Sequence, residues 1–251
     1  MPTDFLHRLT APQRTRRANR QLGSVLAFVA GAVNAGGFLA VQRYTSHMSG
    51  IVSGIADDLV LGQVALALGG VSLLLAFVAG AATTAMQIHW ARRQGLQGEF
   101  ALPLMTEAVL LLLFGLLGAN LELLVDIFVP STVLLLCFVM GLQNAVVTKI
   151  SQAEIRTTHM TGVITDLGIE LGRLFYWNRR PDAEAGHAVL ANRDKLGIHA
   201  TILAMFFGGG LLGAVAFKRL GFVATLPIAG LLMVMAAPPL LRDLWTRRAA
   251  P

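Results

Sequence analysis

The sequence predicts an all-α polytopic membrane protein built from two inverted repeats of three transmembrane helices, each repeat carrying a short re-entrant half-helix. Three observations lead there. Of 251 residues, 55% are hydrophobic and only 14% charged, against roughly 25% charged in an average soluble domain. Several apolar runs reach the roughly 20 residues that cross a bilayer core. Finally, Thr45-Ser46-His47-Met48-Ser49-Gly50 returns as Thr157-Thr158-His159-Met160-Thr161-Gly162, which marks an internal duplication.

The net charge of +6 does not point to nucleic acid. The basic residues cluster at the ends of apolar runs, where they set topology, so the expected partners are the lipid bilayer and a small solute or ion. Residues 1–20 form a basic tail with Arg8, Arg14, Arg16, Arg17 and Arg20. No small-residue cleavage site follows a short apolar stretch, so the first apolar run reads as a retained span behind a cytoplasmic tail. Cys137 is alone and sits in an apolar run, which suits packing and argues against a disulfide or metal cluster. No cofactor is expected.

Repeat 1 covers 21–119, with spans near 21–40, 64–89 and 101–119. Its half-helix, 47–61, is about 22 Å long at 1.5 Å per residue, and it ends in Asp57 and Asp58. That is too short and too polar for an ordinary span. An acidic loop with Glu122 and Asp126 separates the repeats. Repeat 2 covers 130–241, with spans near 130–147, 196–217 and 222–241 and a half-helix at 159–172. Residues 242–251 are a second basic tail. The duplication extends beyond the motif. Phe77-x-x-Gly80 and Phe206-x-x-Gly209 match, and Leu102-Pro103-Leu104 and Leu226-Pro227-Ile228 follow in the same order.

If the half-helices do not cross, each repeat has three spans and the second copy is inverted. Of the 20 Lys and Arg residues, only Arg43, Lys218 and Arg219 then lie outside. An eight-span, parallel arrangement would leave seven outside. The positive-inside rule favours six spans with both termini cytoplasmic. Trp90, Trp177 and Trp245 then fall at the cytoplasmic interface, where belt aromatics belong. The expected location is the bacterial inner membrane, and the small size of each repeat admits a homodimer.

The motif suggests chemistry. Thr45 or Ser46, and Thr157 or Thr158, could cap the half-helices. Free amides at such ends attract anions, with Ser49, Thr161, Gly50 and Gly162 as donors. His47 and His159 add charge when protonated. The competing reading is that small residues simply allow tight helix crossing. At helical spacing His159, Val163, Asp166 and Glu170 share one face, as do His47, Ile51, Gly54 and Asp58. Ionisable groups within a membrane are functional suspects, so Asp58, Asp166 and Glu170 are candidates for proton or ion coupling. Against that, the acids could lie at the interface, with Glu170 pairing with Arg173. Asn34 and Asn144 precede their motifs and could bridge helices or touch solute. Glu107, in the third span, could snorkel or carry protons.

The paired motif, with Gly141-Leu142-Gln143-Asn144-Ala145, resembles the YoaK-like family of bacterial inner-membrane proteins, a domain of unknown function. The likeness runs from about Gln21 to Leu241. The family pattern has Asn where this chain has Ile51 and Asp near Asn34. The resemblance implies five to seven spans and no established activity.

Inverted repeats with broken helices are a common plan of secondary transporters, whose site lies near the midplane between the repeats. The reading is therefore a transporter or channel for a small solute, with an anion favoured and proton coupling open. An intramembrane enzyme is the first alternative. No known catalytic spacing is present, and an enzyme should break the symmetry that both copies keep. A structural subunit of a membrane complex is the second.

Overall fold

The computed structural model describes residues 16–41, 44–119, 125–150, 160–176 and 189–248. Eight α-helices account for nearly all of them. They are α1 (Arg16–Val41), α2 (Met48–Val60), α3 (Val64–Arg93), α4 (Ala101–Ala119), α5 (Val125–Ile150), α6 (Met160–Phe175), α7 (Arg193–Leu220) and α8 (Thr225–Arg248). No strand occurs among the described residues. Part of the second motif, Thr157, Thr158 and His159, lies outside them.

Five stretches are long and apolar enough to cross a membrane: Ala18–Leu39, Val64–Arg93, Ala101–Ala119, Pro130–Ile150 and Arg193–Trp245. The last has 53 residues, about 80 Å if it were one straight helix, against a core of about 30 Å. It is in fact two helices. A 3-10 turn, Gly221–Ala224, separates α7 from α8, and Gly221 has φ 59°. That left-handed value favours glycine and ends α7. By contrast α2 has 13 residues and buries none of them. At about 20 Å it cannot cross alone.

The helices pair across the chain. α1 packs on α7, α3 on α5, and α4 on α8, while α2 lies on α3 and α6 on α7. Glycine decides how closely the first two pairs approach. A Cβ at Gly31 would collide with the Phe206 carbonyl oxygen, and one at Gly209 with that of Phe28. In the other pair, Gly80 meets the carbonyl of Phe138, and Gly141 that of Phe77. The same four-residue lock, Phe-x-x-Gly against Phe-x-x-Gly, is thus used twice. Backbone-to-backbone approach of this kind is how membrane helices associate without a hydrophobic driving force.

The contacts also give direction. Along α1 and α7 they advance together: Phe28 with Gly209, Ala32 with Gly213, Gly36 with Phe217. These helices are parallel. α3 and α5 are parallel too, through Gly80 with Phe138 and the bond from Thr84 Oγ1 to the Leu142 carbonyl, 2.9 Å. α4 and α8 are antiparallel: Gly118 meets Phe222, Gly115 meets Thr225, and Gly98 meets Pro239 and Asp243. The Asp243 carboxylate accepts from the Gln97 and Gly98 amides at 3.1 and 2.9 Å, which ties the start of α4 to the end of α8.

A single methyl tests the lock. In an open helical position Gly→Ala gains up to about 1 kcal/mol of helix propensity. Gly168→Ala, with nothing within 4 Å of the new Cβ, is expected to raise thermal stability in detergent. Gly141→Ala forces two backbones apart and is expected to lose about 1–3 kcal/mol, a change of opposite sign in the same assay.

Candidate functional site

The first motif turns the chain back along α1. Ser46 Oγ donates to Asn34 Oδ1 at 2.7 Å. Asn34 lies seven residues before the end of α1, so the half-helix begins about 10 Å below that end. From there α2 runs to the turn at Gly62, where φ is 73°.

The expected capping is corrected here. Thr45 and Ser46 do not cap α2. Thr45 is buried, and Ser46 is bound to Asn34. His47 is the N-cap residue, with no side-chain cap bond. Its ring lies over the first turn, where a Cβ at Gly50 would strike it. Ser49 is exposed. The helix end is therefore partly covered by imidazole, and Asn34 acts as a helix bridge.

Between α2, α3 and the face of α5 lies an open groove of about 490 Å³. Its wall includes Tyr44, Thr45, His47, Gly50, Ile51, Gly54, Asp58, Gly70 and Cys137. Asp58 is half-buried there, and its carboxylate has no hydrogen-bond or ion-pair partner among the described residues. Asp57, one residue away, is exposed and outside the groove.

The second half-helix is held differently. Glu170 is buried and accepts from Arg173 Nη1 at 2.9 Å and from the Asn192 backbone N–H at 2.7 Å. Asn192 in turn caps α7, its side chain accepting from the Lys195 amide. Asp166 is 57% exposed and faces His199 Nε2 at 3.7 Å. This geometry makes Glu170 a clamp between α6 and α7. Thr161 is exposed and Gly162 half-buried on the outer part of α6. Asn144 is buried in α5.

Glu107 does not snorkel. It is fully buried in α4, and neither carboxyl oxygen has a partner among the described residues. An ionised carboxylate so placed costs several kcal/mol. Gln143 Nε2 donates to the Leu26 carbonyl at 3.3 Å, and its Oε1 is likewise unpaired. The structure thus does not bring the candidate residues into one cluster. Asn34, Ser46, His47, Gly50 and Asp58 share the α2 side. Asp166 and Glu170 bind α7, and Glu107 sits apart.

His199 and Asn192 escaped the sequence reading. Their signal was register: aligning Phe77 with Phe206 sets Asn192 opposite Gln63 and His199 opposite Gly70.

Apolar helices of this length, number and packing define a polytopic helical membrane protein. A family model described as "Protein of unknown function (DUF1275)" matches residues 22–237, and the chain belongs to that family. No curated protein and no solved structure matches the chain.

The two half-helices should differ in how firmly they are held. Glu170→Ala leaves the Asn192 amide without its partner and is expected to cost about 1–3 kcal/mol in detergent unfolding. Asp166→Asn, at an exposed pair, is expected to cost about 0.5 kcal/mol or less.

Proposed function

We propose that this protein moves a small solute across the bacterial inner membrane, with both termini cytoplasmic, and that the groove beside α2 is its solute site. The observation that carries this reading is the α2 half-helix itself. It begins below the end of α1, buries no residue, and brings to an open cavity the Asp58 carboxylate, which has no partner among the described residues. Non-helical backbone below the membrane surface is tolerated where it lines a wet cavity, as the start of α2 does here.

The reading takes the two halves as inverted repeats. Parallel α1/α7 and α3/α5 crossings with an antiparallel α4/α8 pair fit a two-fold axis in the membrane plane. An eight-span chain with parallel repeats would make α4 and α8 parallel. The YoaK-like resemblance of the paired motif belongs to this reading, and a homodimer is compatible with it. Binding rather than bond-making is the proposed role, because the duplicated motif supplies the same groups twice. His47 is assigned to solute contact and Asp58 to solute or coupling ion. Buried Glu107 is the candidate proton carrier. The sequence alone favours an anion at the free helix ends. His47 covering the first turn of α2 weakens that preference.

Flux in proteoliposomes tests it, with a panel of small anions, cations and amines and an internal pH dye. Asp58→Asn and His47→Gln are each expected to lower flux at least about tenfold, the effect of losing one good polar contact of about 1.4 kcal/mol, at unchanged expression. Asp57→Asn, outside the groove, is expected to transport normally. Wild-type flux from the His47→Gln/Asp58→Asn double variant would sink the site assignment.

A further inference from the structure

The two half-helices are lined differently, and the difference bears on what enters the groove beside α2. Aligning the two motifs sets Gly54 opposite Asp166 and Asp58 opposite Glu170. Aligning the two Phe-x-x-Gly sites sets Gly70 opposite His199. In repeat 2, Asp166 and His199 meet at 3.7 Å between α6 and α7. In repeat 1 both positions are glycine, and both line the 490 Å³ groove.

The acids are used differently as well. In repeat 2 the Glu170 side chain accepts the Asn192 amide. In repeat 1 the matching amide, Gln63, bonds the Asp58 backbone carbonyl at 2.7 Å. The Asp58 carboxylate is left facing the groove. Among the described residues it is the only carboxylate on the wall, and no described Lys or Arg lies there. The rest is mostly apolar, including Ile51, Leu66 and Leu73. A single inorganic ion needs a space of order the roughly 30 Å³ that water takes in liquid. Small organic molecules occupy pockets of about 300–1,000 Å³.

Resting on the transport reading above, we infer that the repeat 1 groove binds an organic cation of metabolite size. Its ammonium or amidinium-type nitrogen pairs with Asp58, and its apolar body lies over Gly54, where the groove is open, while Ile55 packs on Gly70. In the second half the Asp166–His199 pair stands at the corresponding positions, so among the described residues only the first half offers this site.

Charge-selective thiol labelling reads this without knowledge of the solute. Cys137 is the sole cysteine. A Cys137→Ser chain carrying Gly69→Cys places a reporter in the groove wall, at a position with open space around the new side chain. Gly54→Cys, equally open, is the second reporter should the first disturb folding. The protein is reconstituted in liposomes. Labelling rates are compared for a trimethylammonium and a sulfonate methanethiosulfonate, each normalised to its rate with a free thiol.

The trimethylammonium reagent is expected to react about tenfold faster, the preference that a carboxylate on the same groove wall gives in a water-filled, solvent-screened site. Asp58→Asn should bring the ratio near one. Gly54→Leu, with the Gly69→Cys reporter, should slow both reagents by filling the open space beside Gly54 without adding charge. Equal rates in the parent chain would overturn the inference while leaving a wet groove and the transport reading intact. A sulfonate preference would overturn it in favour of an anion. No labelling by either reagent would show a groove closed to water and would remove both the inference and the site assignment.

Discussion

The close approach of four backbones holds the described structure together. At Gly31, Gly80, Gly141 and Gly209, helices meet at a separation that admits no side chain. In a bilayer the lipid tails are as apolar as any leucine, so association depends on packing surfaces that fit. Two identical locks, one between α1 and α7 and one between α3 and α5, do this. Each joins a helix of the first repeat to a helix of the second. Neither half can form its central contacts without the other, although they are far apart in sequence.

That exchange leaves the half-helices on the outside of the crossings, where they can diverge. α6 is fastened to the start of α7 through Glu170, Asn192 and the Asp166–His199 pair. α2 packs along α3, is tied at its base through Ser46 to Asn34, and places Asp58 on the wall of a groove. The two short helices are therefore held by different contacts. Under the proposed transport role the less buried α2 is the element free to respond to solute, since elements that move are drawn from the least buried parts of a structure.

Much of this was legible in the sequence because it is local. Apolar runs pointed to the membrane-spanning helices, and the twofold return of the histidine motif marks the starts of two short helices, α2 and α6. The short length between His47 and Leu61 was enough to set α2 apart from a span. What was hidden is relational. Phe28-x-x-Gly31 and Phe138-x-x-Gly141 are unremarkable in an apolar helix until their partners at Phe206 and Phe77 are known. Capping by Thr45 or Ser46 was a sound local expectation, but Ser46 had a better acceptor in Asn34, twelve residues upstream. Glu107 could not be distinguished from a snorkelling acid without knowing that α5 and α8 pack against its helix.

The central claim is that α2 enters and leaves on one face, so that the two repeats oppose each other. Single cysteines at Gln63, in the turn between α2 and α3, and at Gln94, after α3, test it most directly. They are placed in a Cys137→Ser chain and exposed to a membrane-impermeant maleimide on intact cells. The account expects Gln63→Cys to label from outside and Gln94→Cys only after permeabilisation. The reverse pattern would mean that α2 crosses, that the repeats are parallel, and that the account is wrong.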